Sequence, residues 1–305
     1  MIEKQEKTKH WIKKHPSEYV FDTCNIIFLA LFALVCLYPF YYILMYSLSD
    51  PNAARMGVTF YPRDFTLENF VTIFRLPGLT RATFISVART VVGSTLTVFL
   101  CAFFAYIISK EQLPLRKTIW IFVLATMYVG AGLVPWYIVI RMIYQLHNTF
   151  WVYIIPGLMS AWYVILFKVY IESLPASMEE SAKIDGAGYI TIFFRIIFPL
   201  CTPIVATIFV FSAVGQWNSF FDNHIFVTDE RLTTLQYILY QYLKKAETLV
   251  RVVEGVNIGA RVRGQTTPMA VRMTITMLIT LPILFVYPFA QRFFVKGIMI
   301  GAIKG

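Results

Sequence analysis

The chain has 305 residues, of which 58% are hydrophobic and only 14% are charged, and its formal net charge is +10. About a quarter of the residues in a soluble domain are charged, so this composition excludes an ordinary soluble globule. The surplus of Lys and Arg indicates basic loops that face anionic membrane lipid. A nucleic-acid partner is excluded because no basic, water-exposed run accompanies that surplus. The four cysteines and four histidines are scattered and predict no metal site.

Six stretches without Asp, Glu, Lys or Arg divide the chain. Each is 19 to 27 residues long, and a helix needs about 20 apolar residues to cross a bilayer. Backbone groups in lipid must pair within their own segment, so each stretch is predicted to be a helix. The sequence therefore predicts an all-α membrane protein with six transmembrane helices, at 23–49, 90–109, 118–140, 142–167, 196–221 and 273–291.

The beginning of the chain is rich in lysine, at Lys4, Lys7, Lys9, Lys13 and Lys14. Basic residues that flank a first span favour the cytoplasmic side, so the N-terminus is predicted to be cytoplasmic. Six spans then return the C-terminus to the same side. The predicted division is a cytoplasmic segment at 1–22, a six-helix domain at 23–292 and a cytoplasmic tail at 293–305.

Two long segments are predicted to lie outside the cell. Residues 50–82 contain three prolines and two glycines, which indicates a loop with one or two short helices. Residues 222–271 include an amphipathic helical pattern that bears Tyr237, Tyr240 and Tyr242. These tyrosines form either a docking surface for an outside partner or a belt at the depth of the lipid headgroups. The pattern alone does not separate the two interpretations.

The cytoplasmic segment 172–198 has a different character. Ser177 and Glu180 have the spacing of a capping box, which predicts a helix that begins at about Met178. Gly186 is predicted to end that helix, because glycine enters the left-handed conformation without steric cost. A second helix follows the bend. The composition leaves open whether this segment binds a partner or only connects two spans at the membrane surface.

The spacing within this segment is that of a known motif. Glu180-Ser181-Ala182 is followed after three residues by Gly186, and after nine more by the sequence Ile-Ile-Phe-Pro at 196–199. The pattern resembles the EAA loop of ATP-binding-cassette (ABC) importer permeases, with Ser181 in place of an alanine and a phenylalanine in place of a leucine. The C-terminal sequence 288–305 resembles carbohydrate permeases of the maltose-transporter inner-subunit type, especially the branch for oligosaccharides and polysaccharide fragments.

The resemblance implies the transmembrane domain of a type I ABC importer in a bacterial cytoplasmic membrane. It implies a second permease, two ATPase subunits that bind ATP and Mg²⁺, an outside solute-binding protein that docks near 222–271, and a carbohydrate substrate, most simply an oligosaccharide. This chain would itself be neither an enzyme nor a cofactor carrier. The residues that the resemblance assigns to ATPase coupling are Glu179, Glu180, Ser181, Ala182, Asp185, Gly186 and Ala187.

Candidates for the substrate pathway lie near span ends, at Tyr163, Gln216, Trp217 and Asn218. Anchoring at the membrane interface is the alternative for these side chains. Arg89, just before the second stretch, is expected to extend to the outer surface. An ion-coupled secondary transporter is the alternative function, and it is disfavoured because the six stretches contain no ionisable Asp, Glu, Lys or Arg. A membrane enzyme is disfavoured because no converging acidic pair is evident.

Overall fold

The computed structural model describes residues 15–58, 60–244 and 267–297. Within these ranges the backbone is helical apart from turns, loops and one isolated antiparallel bridge between Ser49 and Phe65. The helices are α1 (Pro16–Ser47), α2 (Glu68–Phe74), α3 (Leu79–Ser109), α4 (Arg116–Tyr128), α5 (Leu133–Ile143), α6 (Ala161–Glu172), α7 (Ala176–Ile184), α8 (Tyr189–Leu200), α9 (Thr202–Asn218), α10 (Phe221–Phe226), α11 (235–244) and α12 (Pro268–Gly297).

Three helices in the described part of the chain are long and apolar enough to cross a membrane, namely α1, α3 and the Met269–Val286 part of α12. Three bent pairs pass the same test. These are α4 with α5, bent by 113°, the 3₁₀ segment Phe150–Gly157 with α6, bent by 52°, and α8 with α9, bent by 79°. Counting each bent pair as one span gives the six spans that the sequence predicts.

Two of the predicted spans, 118–140 and 196–221, are bent. The first is interrupted at Gly132, because its φ of +79° lies outside the range of a right-handed helix. The second bends at Cys201, between Pro199 and Pro203, because proline lacks an N–H and cannot continue the backbone hydrogen-bond ladder. Each bend divides an apolar run into two helices that together make one span.

The main core lies around α3, which packs against α9 and α6. Phe193 of α8 is its most crowded ring, only 1% exposed, with the rings of Phe99, Phe103 and Tyr106 within 5.2–6.3 Å of its centroid. Burial of such a ring stabilises a core by about 3–5 kcal/mol relative to alanine. This packing fixes α8, the helix that follows α7, against α3.

The two predicted outside segments contain short helices. In 50–82 these are a 3₁₀ turn at Ala53–Met56 and α2, as expected, although α3 already begins inside the segment. In 222–271 they are α10 and α11. Residues 245–266 lie outside the described residues, as do the ends of the chain at 1–14 and 298–305.

Candidate functional site

Helix α7 forms the first half of the EAA-like segment. It begins at Ala176, directly after Pro175, so the prediction of a capping box that starts the helix at Met178 is wrong. The backbone N–H of Met178 instead donates to the carbonyl of Pro175 at 3.2 Å. Proline has a fixed φ and no N–H to satisfy, so a helix can start immediately after it without a side-chain cap.

The C-terminal end of α7 has the geometry that the sequence predicts. Gly186 has a φ of +80°, and its N–H donates to the carbonyl of Lys183 at 3.0 Å. The N–H of Ala187 donates to the carbonyl of Ala182 at 2.9 Å. These two bonds are those of a Schellman motif, in which the left-handed residue is usually glycine. The chain therefore turns sharply before α8 begins at Tyr189.

One face of α7 is fixed to the rest of the chain. Ala182 is buried, and the Glu179 carboxylate forms ion pairs with Lys110 and, at 3.1 Å, with Lys183. The Nζ of Lys110 lies 3.9 Å from the centre of the Tyr106 ring, a cation–π contact. Lys110 directly follows α3, so this cluster joins α7 to the end of that helix.

The cluster also controls the protonation of its members. Burial by itself raises the pKa of Glu179, but hydrogen bonds from Lys110 and Lys183 outweigh burial, so the pKa of this carboxyl lies below its ordinary value. Burial lowers the pKa of Lys110, and its contact with Glu179 opposes that effect. The Glu179 hydrogen bond raises the pKa of Lys183. Glu179 and Lys183 are therefore charged near neutral pH.

The opposite face of α7 is exposed. Glu180, Ser181 and Asp185 face solvent, and Ile184 is 86% exposed. An apolar side chain flanked by carboxylates on a short, fixed helix is a surface that suits a protein partner. The structure thus separates the two adjacent glutamates, since Glu179 binds lysines of this chain and Glu180 points outward.

A cavity of about 410 Å³ lies at the other end of α3. It is bounded by α3, α5, the 3₁₀ segment, α6, α9 and α10, and its walls contain Arg89, Trp136, Val152, Tyr153, Pro156, Gly157, Tyr163, Ser212, Gly215, Gln216, Ser219, Phe221 and Asp222. Two of the four predicted pathway residues, Tyr163 and Gln216, line it. The other two do not. Trp217 donates its indole N–H to the carbonyl of Ile279 at 3.1 Å, and Asn218 is exposed outside the cavity.

The expectation that Arg89 reaches the outer surface is wrong. Arg89 is only 2% exposed, and its guanidinium forms an ion pair with Asp222. It also donates to the amide oxygen of Gln216 at 3.0 and 3.2 Å and to the carbonyl of Ser219 at 3.3 Å. Its planar group lies 4.5 Å from the ring centre of Tyr153. Burial of an arginine is possible here because all its partners are supplied within the chain.

The three tyrosines predicted to dock a partner lie on α11. Tyr237 and Tyr240 are half-buried and form an aromatic group with His224, whose ring centre is 5.8 and 5.3 Å from theirs. Tyr242 packs instead against the cluster that joins α2, α11 and α12. Their role as a docking surface stays a prediction.

Several known proteins resemble this chain over nearly its whole length. Protein LplC of Bacillus subtilis is 33% identical over 94% of this chain and 95% of its own length. The polygalacturonan/rhamnogalacturonan transport system permease protein YtcP of Bacillus subtilis is 31% identical, over 94% and 99%. The chain belongs to the ABC carbohydrate-importer permeases. The predicted resemblance is thereby confirmed, although no protein-family model matches the sequence.

The fold of this permease agrees with a solved importer. A chain in the crystal structure of a bacterial ABC transporter for import of the acidic polysaccharide alginate superposes with a TM-score of 0.79 and 25% identity. The alignment covers 92% of this permease and 99% of that chain. The prediction of an all-α membrane protein with the six-helix importer fold is confirmed.

Sequence reasoning missed the buried charges of this permease. Arg89 and Asp222 are 133 residues apart, and each lies at the edge of a charge-free stretch, so the sequence predicts that both face the outside. The signal in the sequence that could indicate burial of these two charges is their position within one helical turn of an apolar run. The argument that uncharged spans disfavour an ion-coupled carrier loses its basis. The family membership of the permease, and not a lack of buried charge, decides the class.

Proposed function

We propose that this permease forms one half of the translocation pathway of an ATP-driven importer for an oligosaccharide or polysaccharide fragment. A second permease supplies the other half, and two ATPase subunits, which bind ATP and Mg²⁺, drive the pair through α7. A solute-binding protein delivers the carbohydrate at the opposite end, near α10 and α11. Both chain termini are then on the ATPase side of the membrane.

The division of α7 into two faces is the observation that supports this proposal. The inner face is fixed to α3 through Glu179 and Lys110, and the outer face exposes Glu180, Ile184 and Asp185. A subunit that binds the outer face therefore moves α7 together with α3. Because packed helices shift as rigid bodies, such a movement reaches the cavity at the far end of α3.

The carbohydrate substrate is supported by the relatives and by the cavity. YtcP is named for polygalacturonan and rhamnogalacturonan transport, and a related Bacillus subtilis protein, MelC, for import of melibiose, raffinose and stachyose. The solved relative imports alginate, and a second structure with the same fold contains an alginate pentasaccharide-bound periplasmic protein. The cavity of this permease offers aromatic rings and an amide, which are typical of small-molecule sites with a few polar groups.

Charge reversal on the exposed face of α7 tests the ATPase contact. Glu180→Lys is expected to reduce binding of the ATPase subunit at least tenfold, because the only changed group faces solvent in the permease alone. Glu111→Lys is the matched control, since Glu111 is also an exposed glutamate but lies off α7, in the loop between α3 and α4. The measurement is co-purification of the ATPase with each variant from membranes. Equal recovery of the ATPase with Glu180→Lys and with Glu111→Lys would contradict the proposal.

A further inference from the structure

The charged groups in the walls of the cavity are fully paired with each other. A guanidinium has five N–H donors. In Arg89 they make five hydrogen bonds, two to Gln216, one to Ser219 and two to Asp222. The Asp222 carboxylate accepts from Arg89 on both oxygens, and its Oδ1 also accepts from the N–H of Asn223 at 2.9 Å. These two are the only charged side chains among the described residues that line the cavity.

This pairing fixes the orientation of the Gln216 amide. Its oxygen accepts from both Nε and a terminal nitrogen of Arg89, and a flipped amide would place N–H groups against N–H groups. The amide nitrogen therefore lies on the other side, beside Gly93, where an added Cβ would stand 2.9 Å from it. Gly157, which lines the cavity, has its Cβ position 4.0 Å from the same nitrogen. The amide nitrogen of Gln216 therefore lies at the cavity wall beside Gly157.

Aromatic side chains form another part of the lining. Trp136 stacks on Phe221 with ring centres 6.5 Å apart and an interplanar angle of 14°. Tyr163 of α6 is also in the lining. The volume, about 410 Å³, falls in the range of small-molecule sites, roughly 300–1,000 Å³. A donor amide beside aromatic faces, with no spare cation among the described lining residues, matches an uncharged sugar ring better than a uronate.

We propose that this cavity binds one uncharged pyranose unit of the transported carbohydrate, with Gln216 as a hydrogen-bond donor and Arg89 as the residue that positions it. The inference rests on the proposed function and gives it a substrate class. A uronate carboxylate would have to break an Arg89 hydrogen bond to find a cation here. The imported polymer of the solved relative is acidic, so a uronate is the appropriate competitor in a test.

The test uses the assembled importer in lipid nanodiscs and saturation-transfer NMR. The probes are methyl glucoside, methyl galactoside and methyl mannoside, each compared with its own uronate. We expect at least one neutral glycoside to receive saturation, and its uronate to receive several-fold less. A uronate signal equal to or stronger than its neutral counterpart, or no signal from any probe, would overturn the proposal.

Two variants identify the cavity as the origin of the signal. Gln216→Glu keeps the shape and the acceptor for Arg89 and removes the N–H donors, so it is expected to reduce the neutral signal several-fold. Gly93→Ala removes no polar group but displaces the Gln216 amide, with the same expected result. Asn218→Asp is the matched control, an amide-to-acid change on the same helix outside the cavity. If Gln216→Glu and Asn218→Asp retain equal signals, the sugar binds elsewhere and the assignment is wrong.

Failure of the sugar subsite can be distinguished from failure of the proposed function. Recovery of the assembled importer and its ATP hydrolysis report on the contact between α7 and the ATPase. A complex that assembles and hydrolyses ATP, yet gives no saturation transfer that depends on Gln216, would leave the importer function standing and remove only the sugar subsite. Failure of assembly would instead count against the proposed function.

Discussion

Two glycines at the end of α7 allow the bend to be tested by one substitution at two positions. Gly186 has a φ of +80°, whereas Gly188 precedes α8 with φ −74° and ψ 159°. Neither has any atom within 4 Å of the place where a Cβ would stand. Crowding therefore cannot distinguish Gly186→Ser from Gly188→Ser, and only the backbone conformation does.

The expected difference follows from the backbone alone. A residue with a side chain costs about 1–2 kcal/mol in the left-handed region, while serine is at least as good as glycine at a helix N-cap, the position of Gly188. Only the bent form binds the ATPase under the proposal, and in the free permease the segment can leave the bend to relieve this strain, so the strain opposes binding. Since about 1.4 kcal/mol corresponds to a factor of ten, Gly186→Ser is expected to weaken ATPase binding by up to roughly 5- to 30-fold. Gly188→Ser is expected to leave it within about a factor of two.

The assay is titration of the purified permease pair with the ATPase subunit in nanodiscs, with the half-saturating ATPase concentration as the readout. Gly186→Asn provides an intermediate case, because asparagine enters the left-handed region more easily than serine. The expected order of affinity is glycine, asparagine, then serine at position 186. Equal effects of serine at 186 and 188 would show that the bend seen in the permease alone is not the conformation that binds the ATPase.

Three further outcomes are expected. Arg89→Met should lower the stability of the permease by about 3 kcal/mol, because the Asp222 carboxylate is only 14% exposed and loses its partner. An unchanged thermal midpoint of unfolding in detergent would mean that water screens the ion pair. Trp217→Phe should cost about 1 kcal/mol, from the lost bond to Ile279, without a change in sugar binding. The pKa of Glu179 is lowered, so its ion pair is present above about pH 4.3 and is lost only as the pH falls through the lowered value. ATPase binding, measured at a series of pH values, should therefore be constant between about pH 5.5 and 8. A midpoint inside that window would contradict this expectation.

The positions of the spans could be predicted from the sequence because length and apolarity decide membrane crossing. The end of α7 could be predicted at Gly186 for an equally local reason, since one residue must take the left-handed conformation. The start of α7 could not be placed correctly by the capping-box spacing, because the helix begins directly after Pro175, two residues before the predicted start. Local signals compete, and the sequence does not show which of them the chain uses.

Tertiary pairing accounts for the remaining differences. The partner of Arg89 is Asp222, far away in the chain, and no spacing rule connects them. The adjacent glutamates of α7 have the same chemistry and point about 100° apart. The lysine that selects Glu179 for the inner face is Lys110, on another element.

Helix α3 connects the two regions of the site. It carries Arg89 in the cavity and ends next to Lys110 beside α7, and these residues are 21 positions apart. At a rise of 1.5 Å per residue they are about 31 Å apart, the thickness of a hydrocarbon core. If the Lys110–Glu179 pair transmits the movement of α7 to α3, its loss should uncouple the importer while the exposed face with Glu180 still binds the ATPase.

Charge exchange tests this link. Lys110→Glu and Glu179→Lys are each expected to lower the number of sugar molecules imported per ATP several-fold, with ATPase binding retained, because each places like charges side by side. The double exchange restores an opposite pair. Recovery should be partial, since Lys183, which lies 3.1 Å from Glu179, would then face a second cation. If the single variants lose ATPase binding and transport in equal proportion, the pair only maintains the local fold and does not act as a link.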